Sequence, residues 1–416
     1  MSPGRNRKLA EQWIPPVIAA LCRSCLGWMA IPVMAFMVST GLVFGQQPST
    51  ASPCDPSASL KRADQLLKEK RYGDAESILA RLRQCPRISP LVMFNIGWFY
   101  GRAHNFQTAL GIFKSVSPDV PDLRTHQYAI GLGEFELGDY KAAVETLKVS
   151  QSQGLLNSDS ANLLGVSYSK LGQYQDAYTV LSDEIHRDPS DLFAYFNLVT
   201  LFADAGKFTQ AVDVANEAVV RFPGNSDVLV VRGAAYTLSG EVNKAHDDFA
   251  SAAHLSPIKS QPRFLLALSD YKQGNFELSA AELKEAIRDG VVDSDLHYLL
   301  AECMLKLDPT KPEEAIAELN RAVALNSASA SARTLRGKLW LEQNRLKDAA
   351  NDLQIAHHVD PSSRSATYNL ARADMALGKQ AEAKQLYSQL NQQPTDTVSE
   401  LGDRKIKEAL ANATAQ

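Results

Sequence analysis

The chain has little excess charge of either sign. Its 416 residues include 43 lysine and arginine residues and 47 aspartate and glutamate residues, which gives a net charge of −4. Proteins that bind nucleic acids usually carry a basic patch or stripe and a high isoelectric point. The composition therefore argues against nucleic acid as a partner.

Short motifs that mark catalytic and metal sites are also missing. After residue 45 there is no His-Glu-x-x-His or Cys-x-x-Cys motif, and the chain has no Gly-x-Ser-x-Gly elbow or phosphate-binding loop. His357 and His358 are adjacent, so on a helix they would point about 100° apart, which is poor geometry for binding one metal ion. We therefore expect no metal site, no cofactor and no enzymatic activity.

Charged residues are absent from residues 24–45, near the N-terminus. Four basic residues precede this run: Arg5, Arg7, Lys8 and Arg23. A basic start, an apolar middle and small residues at positions 43 and 45 are typical of a secretory signal, here cleaved after Gly45. The run is also long enough to cross a bilayer about 30 Å thick, so a retained membrane anchor is the alternative.

Both interpretations place the bulk of the chain on the same side of the membrane. Basic residues before an apolar segment tend to stay in the cytoplasm, while the sequence after the segment crosses. We therefore assign residues 1–45 to a signal or anchor and residues 46–55 to a polar linker. The remainder is expected outside the cytoplasm, in the periplasm or the extracellular space.

A period of 34 residues runs through most of the remaining sequence. Pro189, Pro223 and Pro257 follow one another at this spacing. Small residues keep the same spacing, for example Gly97, Gly131 and Gly165 in one series, and Ala75, Ala109, Ala143, Ala177, Ala211 and Ala245 in a second. Ten units begin at residues 56, 90, 124, 158, 192, 226, 260, 294, 330 and 364 and cover residues 56–397. A 34-residue period with these small positions resembles the tetratricopeptide repeat.

Packing considerations explain the same pattern without the resemblance. Each unit carries two stretches with apolar residues at helical spacing, which predicts two amphipathic helices. In the fourth unit, Gly165 and Ala177 would let the two helices approach to roughly 8–10 Å. Gly172 permits a turn with positive φ, and Pro189 ends the second helix. These residues are therefore interpreted as packing and turn residues.

The resemblance implies an all-α fold, a right-handed superhelical solenoid of antiparallel helix pairs. In this family the first helix of each unit lines the concave groove. Solenoids need polar ends, and residues 398–416 suit that role. Val398, Leu401, Ile406 and Leu410 form one apolar stripe there, so we predict a capping helix over 398–412 followed by a short tail.

Cysteine is scarce, and two of the five cysteines, Cys22 and Cys25, belong to the N-terminal segment. Cys54 precedes the first helix of unit one and Cys85 follows the second, so an antiparallel pair places both at the same end. A disulfide requires Cα atoms about 4.4–6.8 Å apart, which this topology permits. The alternative is two free thiols beside one helix pair. Cys303 is expected to be a core residue.

Aromatic residues recur at the fifth position of the units, which in the tetratricopeptide family commonly faces the groove. The predicted partner-binding residues are Phe94, Tyr128, Phe196, Phe264, Tyr298 and Tyr368, with Trp98 added from the ninth position of unit two. Such rings provide large contact areas for a peptide. The alternative is that they pack on neighbouring helices. No unit has lysine at the fifth position, which disfavours a clamp for a terminal carboxylate.

The resemblance implies a non-catalytic scaffold that binds proteins or peptides in its groove, with a role such as cell-envelope assembly or secretion. A second interpretation is a structural adaptor that is tethered to the membrane by residues 24–45. Such an adaptor would self-associate and space its partners without a specific groove ligand. Light scattering on the purified chain distinguishes the two, because the adaptor predicts an oligomer.

Overall fold

The computed structural model describes residues 54–390 and 406–411, and these residues are helical with connecting turns and contain no strand. Twenty helices lie between residues 56 and 390: α1 Pro56–Lys68, α2 Tyr72–Arg83, α3 Pro90–Arg102, α4 Phe106–Ser115, α5 Leu123–Glu136, α6 Tyr140–Ser152, α7 Ser158–Lys170, α8 Tyr174–Arg187, α9 Leu192–Asp204, α10 Phe208–Arg221, α11 Ser226–Ser239, α12 Val242–Leu255, α13 Ser260–Lys272, α14 Phe276–Arg288, α15 Ser294–Leu307, α16 Pro312–Leu325, α17 Ala330–Glu342, α18 Leu346–Val359, α19 Arg364–Ala376 and α20 Gln380–Leu390. The all-α array of about ten helix pairs predicted from the period is confirmed.

The chain divides into two compact units, with the boundary between Asn197 and Leu198. We call them the N-terminal unit and the C-terminal unit. In both, most first helices pack on the second helix of their own repeat, and most second helices pack on the next first helix. Each repeat therefore buries its apolar faces against its sequence neighbours, as expected of a repeat protein.

Close helix crossings depend on the small residues of the repeat. A Cβ atom added at Gly165 in α7 would lie 2.6 Å from Leu181 Cγ in α8. In the C-terminal unit, a Cβ atom at Gly233 would lie 2.6 Å from Phe249 Cε1. Both distances are far below ordinary contact, so the small residue is required by packing, as predicted.

The turn inside nine of the ten helix pairs contains one residue in a left-handed backbone conformation, and the turn of unit eight is the exception. Gly172 has φ +72°, and glycine occupies the same repeat position in most other units. Lys70, His104 and Asn344 replace it in units one, two and nine with φ between 58° and 62°. The turn geometry is therefore kept even where the residue lacks the conformational freedom of glycine.

Polar residues and prolines set the start of several first helices. The Asp55 carboxylate accepts a hydrogen bond from the Ser57 backbone N–H at 3.0 Å, and Pro56 occupies the first position of α1. Ser89 and Pro90 repeat this arrangement at α3. A polar cap residue is common at helix N-termini because its side-chain oxygen satisfies a backbone donor that lacks a partner within the helix. Proline is common at the first helical position because its missing N–H is not needed there.

Near the C-terminus, residues 406–411 are helical, and Ile406, Ala409 and Leu410 are buried. The rest of the predicted capping helix, the predicted signal or anchor and residues 46–53 lie outside the described residues. Within the described ranges, no helix is both long enough and apolar enough to cross a bilayer.

Candidate partner-binding surface

Several first helices of neighbouring repeats touch one another within each unit. In the N-terminal unit, α1 contacts α3 and α5 contacts α7. In the C-terminal unit, α13, α15, α17 and α19 contact one another in sequence. We call the side formed by these adjoining first helices the first-helix surface. It is the part of each unit on which side chains from several repeats come together.

Four of the seven predicted binding residues lie in the interior and not on this surface. Phe94 is 1% exposed, Trp98 and Phe196 are each 2% exposed, and Phe264 is 6% exposed. The Phe94 ring lies 5.1 Å from the Phe113 ring, measured between centroids. These side chains therefore offer almost no area to a partner.

The reason for this burial is visible in the N-terminal unit. The Trp98 ring lies 5.6 Å from Phe113, which belongs to the second helix of the same repeat, and 6.3 Å from Tyr128 of the next first helix. Phe94 also stacks on His126 at 6.1 Å. The rings fill the space where three helices meet, which is the packing alternative raised by the sequence.

The three predicted tyrosines retain exposed area on the first-helix surface. Tyr128 and Tyr298 are half-buried, and Tyr368 is 48% exposed. The Arg372 guanidinium lies 5.8 Å from the centre of the Tyr368 ring. Burial, reinforced by nearby carboxylates, raises the pKa of both Tyr128 and Tyr298. Both phenols therefore act as hydrogen-bonding groups at neutral pH.

A polar chain on the N-terminal unit was not predicted. Asn197 Nδ2 donates to Asn162 Oδ1 at 2.8 Å, and Asn162 Nδ2 donates to Asp191 Oδ2 at 2.6 Å. Burial raises the pKa of Asp191, against the opposing effect of the hydrogen bonds that it accepts from Asn162 and from the backbone N–H groups of Phe193 and Ala194. The only signal in the sequence was asparagine at the fifth position of unit four, among mostly aromatic equivalents.

A second polar group lies on the C-terminal unit. Tyr298 Oη donates to Glu302 Oε1 at 3.1 Å within α15, and Tyr271 Oη in α13 donates to Glu302 Oε2 at 3.3 Å. Burial, with an added effect of the Glu302 carboxylate, raises the pKa of Tyr271. One carboxylate thus links the first helices of two neighbouring repeats.

The structure places a disulfide between Cys54 and Cys85, with a Cα–Cα distance of 5.5 Å. It connects the residue before the N-cap of α1 to the end of α2.

Cys303 is buried in α15, and its Sγ donates to Ser279 Oγ at 3.2 Å. Burial raises the pKa of the Cys303 thiol to about 11. Across the part of the chain that the structure describes, no three His, Cys, Asp or Glu side chains converge as a metal site would require.

Comparison with known proteins agrees with this geometry. The family model for the tetratricopeptide repeat matches residues 162–226, 196–257, 264–308, 305–356 and 342–396, together just over half of the chain. The chain is 23% identical over 366 residues to DnaJ homolog subfamily C member 7 homolog of Schizosaccharomyces pombe. This alignment covers 82% of this chain and 71% of that protein.

Other similarities are more partial. DnaJ homolog subfamily C member 3 of Gallus gallus is 23% identical over 53% of this chain, and the match spans 46% of that protein, less than half of its length. A tetratricopeptide repeat protein from Parabacteroides merdae has a TM-score of 0.46 at 20% identity, covering 61% of this chain and 98% of that one.

Proposed function

Because the chain belongs to the tetratricopeptide repeat family, we propose that it is a non-catalytic scaffold that binds a protein or peptide on the first-helix surface. The observation that carries this proposal is the contact between successive first helices, with Tyr128, Tyr298 and Tyr368 partly exposed on them. Tyrosine is favoured at binding surfaces because its ring provides contact area and its hydroxyl forms hydrogen bonds.

We further propose that the repeats act outside the cytoplasm, in cell-envelope assembly or secretion. The disulfide between Cys54 and Cys85 supports this location, since such bonds persist mainly in oxidising compartments. The basic and apolar N-terminal sequence supports it independently. The two features lie in different parts of the chain and have different physical causes.

The binding proposal is tested by crosslinking and capture from the host's own envelope extract. Tyr368→Ala is compared with Tyr178→Ala, because both rings are similarly exposed, at 48% and 40%, but Tyr178 lies on a second helix. We expect a captured partner to be lost or weakened only with Tyr368→Ala. Circular dichroism must show that both variants remain as helical as the parent chain.

Two outcomes would contradict the proposal. Equal capture by both variants would mean that the partner binds away from the part of the first-helix surface around Tyr368. Absence of any captured partner, together with an oligomer in light scattering, would favour the self-associating membrane adaptor instead.

A further inference from the structure

Most buried or half-buried carboxylates of the C-terminal unit lie close to a basic group. Examples, with their shortest nitrogen–oxygen distances, are Asp227 with Lys259 at 2.8 Å, Asp248 with Arg232 at 2.7 Å, Glu282 with Arg263 at 3.3 Å, Asp352 with Arg333 and Arg336 at 2.6 Å, and Asp374 with Lys379 at 3.2 Å; Glu241, Asp270, Asp308 and Glu318 are also paired. Such pairing is expected, because a carboxylate removed from water is costly unless it is compensated.

Glu302 departs from this rule. Its side chain is half-buried on the first-helix surface, yet no described ion pair includes it. Its partners are the neutral hydroxyls of Tyr271 and Tyr298. Lys306 follows one helical turn later but is exposed, and no ion pair joins it to Glu302 among the residues that the structure describes.

The two hydroxyls orient this carboxylate without neutralising it. A carboxylate has about four lone-pair sites, and the tyrosines use two of them, one on each oxygen. The remaining sites can accept hydrogen bonds from an additional donor. A cation is the favoured donor, because charge-assisted hydrogen bonds are shorter and stronger than neutral ones. Tyrosine rings also attract cations that approach their faces.

We propose that Glu302, held by Tyr271 and Tyr298, receives a lysine or arginine side chain of the bound protein or peptide. This inference rests on the proposed function and specifies the chemistry of the partner: a segment with at least one basic residue. The absence of an intramolecular cation is what distinguishes Glu302 from the paired carboxylates of the same unit.

The N-terminal unit contains a carboxylate whose surroundings differ from those of Glu302. Glu136 in α5 is half-buried, and its Oε1 has no hydrogen-bond partner among the described residues. Burial raises the pKa of this carboxyl to about 7. It shares α5 with Tyr128, the half-buried tyrosine of that unit's first-helix surface. The unpaired Glu136 oxygen is itself shielded from solvent and receives no tyrosine hydroxyl, so the proposed site for a basic side chain is assigned to Glu302 alone.

The test begins with selection of random 12-residue peptides displayed on phage against the full-length chain in mild detergent. We expect the enriched peptides to contain lysine or arginine at a fixed place in their aligned sequences. The tightest peptide and a copy with norleucine in place of that basic residue are then titrated against three proteins: the parent chain, Glu302→Gln and Glu285→Gln. Glu285 is the control because it is an exposed glutamate on a second helix.

We expect Glu302→Gln to bind the basic peptide about tenfold or more weakly than the parent chain does. The norleucine copy should bind the parent chain and Glu302→Gln equally weakly, and Glu285→Gln should behave as the parent does. Glutamine keeps the shape and the acceptor oxygen for one tyrosine, so thermal unfolding should be little changed.

Each contrary result is informative. Enriched peptides without a required basic residue, or with affinity unchanged by Glu302→Gln, would overturn this inference and leave the proposed binding function standing. Failure to enrich any peptide above the background of empty beads would overturn both. An unfolded Glu302→Gln would be replaced by Tyr298→Phe, which keeps the ring and should weaken only the basic peptide.

Discussion

Two glycine-to-alanine substitutions in the N-terminal unit should change stability in opposite directions. Gly111 lies inside α4, and a Cβ atom there would meet no heavy atom within 4 Å. Alanine at an open helix position is favoured over glycine by roughly 0.5–1 kcal/mol. We therefore expect Gly111→Ala to stabilise its repeat by about that amount.

Gly165→Ala carries the same propensity gain but meets a steric conflict. The added Cβ atom would lie 2.6 Å from Leu181 Cγ and 2.7 Å from Leu181 Cδ2, and Leu181 is 1% exposed. Because the branch carbon and not only the tip of a flexible chain is involved, the helices must separate. Overpacking of this kind typically costs about 1–3 kcal/mol. The difference between the two variants should therefore be about 1–3 kcal/mol.

Native-state hydrogen exchange is the suitable assay, because a repeat array opens locally and a single global transition is not assured. Protection of the amides in α7 and α8 should fall in Gly165→Ala, and protection of those in α3 and α4 should rise slightly in Gly111→Ala. If Gly165→Ala were as protected as the parent chain, the claim that the small residue sets the helix crossing would be refuted.

Three further predictions concern the disulfide and the buried charges. Cys54→Ser should destabilise the first repeat by about 3–4 kcal/mol, seen as faster exchange in α1 and α2; a reductant should reproduce the effect in the parent chain. Asp352→Ala should cost about 3–5 kcal/mol, because it leaves two arginines without their buried partner. The control Asp348→Ala removes an exposed pair and should cost under about 1 kcal/mol, with both variants measured by hydrogen exchange of the amides in α17 and α18. Burial raises the pKa of the Glu136 carboxyl from 4.5 to about 7 in the folded state. Because the folded chain holds the carboxyl proton more tightly than the unfolded chain, the free energy of unfolding should fall as pH rises from 4.5 to 7. Glu136→Gln should remove this fall, gaining about 3 kcal/mol over the parent chain at pH 8 and nothing at pH 4; equal unfolding free energies at both pH values would contradict this assignment.

The sequence predicted the helix pairs well because their causes are local and repeated. Glycine or another small residue at the crossing, a left-handed turn and a proline after the second helix recur at a 34-residue spacing. Each of these features acts within one repeat or between sequence neighbours. Ten copies in one register therefore reveal the fold without knowledge of distant contacts.

The exposure of the fifth-position aromatics could not be predicted in the same way. Phe94 and Tyr368 occupy equivalent positions in their repeats, yet one is buried and the other is 48% exposed. The difference lies in the neighbouring helices: Phe113 and His126 close around Phe94, whereas Tyr368 is contacted at its edge by Tyr387. Burial is a property of those surroundings, which vary from repeat to repeat.

By itself, the sequence determined the fold class, the ten helix pairs and the residues at which the helices cross, because each follows from the size and conformational freedom of single side chains. Only the tertiary structure decided which aromatic rings reach the surface. It also decided that Glu302 accepts hydrogen bonds from two tyrosines and is not paired with a cation. Tyr271 and Glu302 are 31 residues apart in the chain, and their contact depends on how two first helices lie against each other. Pairwise distances of this kind are set by packing and leave no periodic trace in the sequence.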